Sequence, residues 1–259
     1  NNNNNFNSHY NKPNINNNNS FQGIILSDSM CSRVRTYAIR RFNLVDVKLS
    51  YESGCDCNRM INWLHTPDGQ RTVRNKDFIV ISLGTNDVGR YGVDVSIQRC
   101  SELIQYIRQS FPGIRAIGWL ALSPRWKPTR FISAAEIGDL HHQFNERLQI
   151  LSKQLDFDFV DARLGPSDMR VEDGLHPSTT TGKWKYEEAL REWFSTRAVS
   201  LYSILSFQQQ QQHQPTTMNN YNNYNKNYHN NRNYNRNYNH QIRSYQQRNN
   251  YHRNNNNNN

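Results

Sequence analysis

Five short apolar runs, each stopping at small or polar residues and each followed by a stretch of helical character or a polar loop, restrict this chain more than any other feature. They begin at Gly23 (stopping at Asp28 and Ser29), Leu44 (to Leu49), Phe78 (to Leu83), Ile114 (to Leu122) and Phe157 (to Val160). Strands buried on both faces read as continuous apolar runs, and strands alternating with helices connect by right-handed crossovers, so the pattern predicts an α/β fold with a mostly parallel five-stranded sheet. The intervening helices are expected over Cys31–Phe42, from about Asn58 to His65, through Val93 to Phe111, from about Ser133 to Leu155 and from about Gly182 to Phe194, with an extension to Phe207. The amphipathic faces are explicit in two of them. Val93, Ile97, Cys100, Ile104, Ile107 and Phe111 recur at spacings of three and four, as do Ile137, Leu140, Phe144, Leu148, Leu151 and Leu155. Pro67–Gly69 reads as a turn.

The runs occupy only residues 21–207, which have globular composition and a length suited to one domain. Asn dominates residues 1–20, and Gln, Asn, Tyr and Arg dominate 208–259. Such segments bury too little apolar surface to offset the entropy of ordering, so both ends are expected to be disordered. The net charge of +10 belongs mainly to these ends. Lys12, Lys226, Arg232, Arg236, Arg243, Arg248 and Arg253 face no acidic residue there, and setting those seven aside from 31 leaves 24 basic against 21 acidic residues. The C-terminal segment interleaves Tyr221, Tyr224, Tyr228, Tyr234, Tyr238, Tyr245 and Tyr251 with arginine and asparagine. Three readings stand for it: stacking on unpaired RNA bases with cations on phosphates, self-association, or a repeat expansion with no partner.

Cys31, Cys55, Cys57 and Cys100 lack the dense spacing of a disulfide framework, which points to a reducing, intracellular compartment and to free thiols rather than a zinc site at Cys55 and Cys57. No charged segment followed by an apolar stretch marks a signal sequence, and no run approaches the ~20 apolar residues that cross a bilayer.

Three polar clusters fall at the ends of the first, third and fifth runs: Ser29, Asn86, and Asp173 with His176. In a parallel sheet those ends share one edge, where ligands bind. A serine hydroxyl becomes nucleophilic when a histidine takes its proton, and an aspartate can hold that imidazole in the right tautomer. The backbone N–H groups of Ser29 and Gly54 and the side-chain amide of Asn86 are candidate donors to a developing oxyanion. Each cluster also has a plainer reading. Asp28 and Ser29 suit a helix N-cap, and Gly84 to Asp87 suit a turn that Asp87 structures. The chain holds a second Asp-x-x-His, Asp139 to His142, inside a helical pattern, where it reads as a solvated pair. Arg125 is either an exposed loop residue or a partner for an anionic substrate group.

The ordered set Asp28-Ser29-Met30, Gly54, Gly84-x-Asn86-Asp87 and Asp173-x-x-His176 resembles the SGNH hydrolases, also called GDSL esterases and lipases, over essentially all of Phe21–Phe194. The resemblance implies a flavodoxin-like three-layer α/β/α sandwich, no metal or cofactor, and hydrolysis of a small or medium acyl ester or thioester through an acyl-enzyme on Ser29. It also implies Asp173 and His176 as the rest of a triad and Ser29, Gly54 and Asn86 as the oxyanion hole. Ser27 stands where the family usually has glycine. Esterase-like domains beside basic segments also resemble the first open reading frames of some LINE-type retrotransposons, which implies RNA as an alternative partner.

Overall fold

A computed structural model describes residues 20–40, 44–129 and 132–212; the expected head and nearly all of the expected tail lie outside the described residues. Five strands, β1 (Phe21–Ser27), β2 (Val45–Tyr51), β3 (Phe78–Ser82), β4 (Ala116–Leu120) and β5 (Asp158–Val160), form one sheet in the order β2-β1-β3-β4-β5. Every neighbouring pair is parallel. Among the described residues six α-helices accompany them: α1 (Thr36–Ile39), α2 (Cys57–His65), α3 (Pro67–Val73), α4 (Thr85–Ser110), α5 (Ala134–Gln154) and α6 (Thr181–Gln212).

Side-chain alternation along the central strands divides the core into two layers. Ile24 and Leu26 of β1, Ile79 and Ile81 of β3, and Trp119 of β4 face one cluster, to which α2 adds Met60 and Leu64, α4 adds Leu103 and Ile107, and α5 adds Phe144 and Leu148. Ile25, Phe78, Val80 and Leu120 face the other, closed by Ile39 of α1 and by Tyr186, Leu190 and Phe194 of α6. The result is the expected three-layer α/β/α sandwich. Trp119 sends its indole N–H to the Leu83 carbonyl at 3.0 Å, so the largest buried ring leaves no polar atom stranded.

Three local expectations are corrected. In the described part of the span Cys31–Phe42, through Arg40, the expected helix is instead a single 3-10 turn at Ser29–Cys31 followed by the four-residue α1. Between them Arg35 is drawn away from helix geometry by Glu187, which accepts its backbone N–H at 2.9 Å and its guanidinium at two oxygens. The turn expected at Pro67–Gly69 opens α3: Thr66 caps it, accepting from Gly69 N at 3.2 Å, and Pro67 sits in the first turn, where its missing N–H costs nothing. Third, α4 begins eight residues before Val93, and Gly92 (φ 75°) breaks it into two helical pieces.

Candidate active site

Parallel pairing brings the C-terminal ends of β1 and β3 side by side, with Ser27 opposite Ser82. Just past that edge Asp28 caps the 3-10 turn, its Oδ1 accepting from Met30 N at 2.9 Å. Ser27 makes the turn tight. Its hydroxyl donates to the Ser82 carbonyl at 3.3 Å and accepts from Cys31 N at 3.3 Å, so the residue that departs from glycine is fully buried and joins the end of β3 to the 3-10 turn. Ser29, between these anchors, is half-buried.

The other end of the site is a loop after β5. Met169 and Pro177 form an isolated antiparallel bridge, and Arg170 N donates to the His176 carbonyl at 2.8 Å. Within that clasp Asp173 Oδ1 accepts from both Leu175 N and His176 N at 2.9 Å. The loop carries His176 to Ser29: Nε2 lies 2.9 Å from Ser29 Oγ, and Nδ1 lies 3.0 Å from Asp173 Oδ2. Since Oδ2 of a carboxylate only accepts, Nδ1 carries a proton and Nε2 is left to accept from the serine. Burial works against the Asp173 carboxylate, but the two N–H donors and the imidazole outweigh it, and its pKa lies below the ordinary value.

Gly84 starts α4 in the left-handed region (φ 118°), and a Cβ there would lie 2.7 Å from the Phe144 ring. Asn86 and Asp87 therefore belong to the first turn of a helix rather than to a free turn. Asn86 donates to Asp28 Oδ2 at 2.9 Å and to the Cys55 carbonyl at 3.0 Å, tying the turn that carries Ser29 to the loop that contains Gly54. Both N–H groups of that amide are engaged in this state. Gly54 lies in a left-handed turn (φ 72°) after β2, and neither its backbone N–H nor that of Ser29 donates to another described residue. Asp87 does more than structure its own turn: fully buried, it accepts from Cys57 N at 3.2 Å at the start of α2. Burial pushes the Asp28 carboxyl up to about 7, and the nearby Asp87 charge adds to the rise.

Asp139 and His142 are exposed on α5, and His142 pairs with Glu146 at 3.4 Å. The residue between them that escaped notice in the sequence is His141, which is buried, with Nδ1 donating to the Ser123 carbonyl at 2.9 Å. Arg125 is half-buried rather than an exposed loop residue. Desolvation lowers its pKa while the Asp173 charge opposes that shift. The four cysteines are free and buried, and among the described residues no group of three or more His, Cys, Asp or Glu side chains is placed to hold a metal. Among them also, no helix is long and apolar enough to cross a membrane.

A cleft of about 120 Å³ opens beside Ser29 and His176, walled also by Met30, Val34 and Tyr186. Arg33, Arg170 and Lys183 line it too. Lone cations at unremarkable spacings carry no motif, and the sequence offers no signal that would have gathered these three.

The sequence model of the GDSL-like Lipase/Acylhydrolase family matches residues 39–183, more than half of the chain. The chain belongs to that family. It is an ester-bond hydrolase by membership. The match takes in Gly54, Asn86, Asp173 and His176 and begins after Ser29. Solved structures share the fold at low identity. A GDSL-like lipase from Bacteroides thetaiotaomicron VPI-5482 is 15% identical with a TM-score of 0.53, covering 68% of this chain and 88% of its own. A member of the lipolytic G-D-S-L family from Veillonella parvula DSM 2008 is 13% identical with a TM-score of 0.54, covering 68% and 99%. A lipase from a goat rumen metagenome is 17% identical with a TM-score of 0.53, covering 67% and 97%. No curated protein sequence matches the chain.

Proposed function

We propose that the domain is a serine esterase in which Ser29 is the nucleophile, His176 the general base and Asp173 its orienter. The observation that carries this reading is the unbroken line from Ser29 Oγ through the imidazole to Asp173, with contacts of 2.9 and 3.0 Å. Ser29 Oγ attacks the ester carbonyl carbon as its proton passes to His176 Nε2. The tetrahedral intermediate collapses to an acyl-serine, and the departing alcohol oxygen takes that proton. Water then gives a proton to Nε2, attacks the acyl carbon and restores Ser29 with release of the acid. Asp173 stays ionised throughout, favouring the imidazolium that forms twice per cycle.

The Ser29 and Gly54 backbone N–H groups are the first donors to the oxyanion. Asn86 joins them by exchanging one of its bonds to Asp28 or Cys55, and each such donor is worth about 10² to 10³ in rate. The cleft volume favours a short acyl group over a long lipid chain. Treatment with a fluorophosphonate probe is expected to label the wild-type chain on Ser29, and Ser29→Ala is expected to lose both the label and p-nitrophenyl ester turnover while keeping its thermal midpoint. Turnover that survives in Ser29→Ala would assign the nucleophile elsewhere.

A further inference from the structure

The cleft beside Ser29 has a charge pattern that ester hydrolysis does not by itself require. Three cations, Arg33, Arg170 and Lys183, contribute to its wall, and no carboxylate does. Their charges are unequally committed. Arg170 lies 3.4 Å from Asp173 Oδ2 and 3.7 Å from Glu172 Oε2, so much of its field answers those two acids. Glu187, on which the Lys183 charge acts weakly, is already gripped by Arg35 through two oxygens. Among the described residues, Arg33 and Lys183 therefore have no carboxylate of their own. Lys183 is half-buried in the first turn of α6, where the end of a 32-residue helix adds partial positive charge.

Arg170 and Lys183 are half-buried and Arg33 is exposed at the rim; cations gathered around a concave space repel one another, and they focus a positive potential into the space they surround. A neutral ester gives that potential nothing to act on. An ester bearing an anion does, and in a cleft this small the anion must sit within a few atoms of the bond that Ser29 attacks.

We propose that the cleft selects short esters that carry a carboxylate, phosphate or sulfonate-like group near the scissile bond, with Lys183 and Arg33 as the anion-binding residues and Arg170 shared between the anion and Asp173. This rests on Ser29 being the nucleophile. The anion can lie on either side of the ester, and two substrates separate the cases: monophenyl succinate, charged on the acyl side, and 4-acetoxybenzenesulfonate, charged on the alcohol side, each against neutral phenyl acetate.

In the full chain, kcat/KM for one of the charged esters is expected to exceed that for phenyl acetate by roughly tenfold. That ratio is expected to fall about fivefold in Lys183→Gln and in Arg33→Gln, to persist in Lys183→Arg, and to shrink as sodium chloride is added. Equal constants for all three esters, or a ratio that both glutamine variants leave intact, would overturn the proposal. If none of the three is hydrolysed, it is the role of Ser29 that has failed, and binding decides the rest. Calorimetry of each charged ester with Ser29→Ala is expected to show that at least one binds and that Lys183→Gln, added to that variant, weakens it; absence of binding by both would remove the anion site.

Discussion

His141 offers a direct test of how this core handles a titratable group. Its Nδ1–H is spent on the Ser123 carbonyl, and its Nε2 is buried with no hydrogen-bond partner among the described residues, so a second proton would have no acceptor. Burial, helped by the Arg125 charge and opposed by the Ser123 bond, takes the imidazole from 6.5 down to about 4. A base whose folded pKa is depressed contributes nothing above its unfolded pKa and destabilises the fold as pH drops through the interval, because only the unfolded chain takes the proton. With those two values the loss is close to zero at about pH 7.5, about 2 kcal/mol at about pH 5 and about 3 kcal/mol once the pH is well below 4. Asp28 shifts in the opposite sense over the same window: raised from 3.8 to about 7, it takes its proton first in the folded state and adds stability as pH falls. Wild-type stability alone is therefore a poor readout, whereas the gap between wild type and His141→Asn isolates the histidine. Asparagine can keep the donor to Ser123 and lose only packing, a cost of roughly 1 to 2 kcal/mol at neutral pH. Urea unfolding followed by tryptophan fluorescence is expected to show that gap closing by about 2 kcal/mol between about pH 7.5 and pH 5. The depressed carboxyls of Asp168, Asp173 and Glu187 do not blur the result, since their contributions are lost only below their ordinary values of 3.8 to 4.5. A gap that stays constant to within about 0.5 kcal/mol across that range would refute the reasoning.

Gly84→Ala is expected to lower stability by about 2 to 3 kcal/mol, read as a drop in the urea midpoint, because the new methyl meets the Phe144 ring in a left-handed backbone position. Asn86→Ala is expected to cut kcat by about 10² to 10³ while changing KM little. A loss of stability with kcat preserved would instead make Asn86 only a tie between Asp28 and Cys55.

The central strands were legible because β1 and β3 are buried on both faces, leaving them no room for polar residues. The order Ser29, Asn86, Asp173, His176 was legible for a related reason: a parallel sheet delivers every strand end to one edge. Part of what could not be read depended on partners distant in the chain, and part on a single neighbouring residue. Residues Cys31–Phe42 have helical character, but Arg35 answers to Glu187, 152 positions away. Pro67 and Gly69 signal a turn and a helix start equally, and only the Thr66 cap decides. His141 drew no reading of its own, because one residue of helix rotation separates its core position from the solvent position of His142. The cleft cations come from three separate segments that only the fold assembles.

The hydroxyl of Ser27 has a consequence for anyone seeking the chain's kin. A search keyed to a glycine before Asp28 and Ser29 would pass this protein by. Yet glycine is not a neutral exchange at this position. It would withdraw, at one stroke, one of the two donors to the Ser82 carbonyl, the other being Asp28 N, and the acceptor of Cys31 N, both in the interior. The hydroxyl thus makes residue 27 a fastening of the turn as well as a step in its backbone.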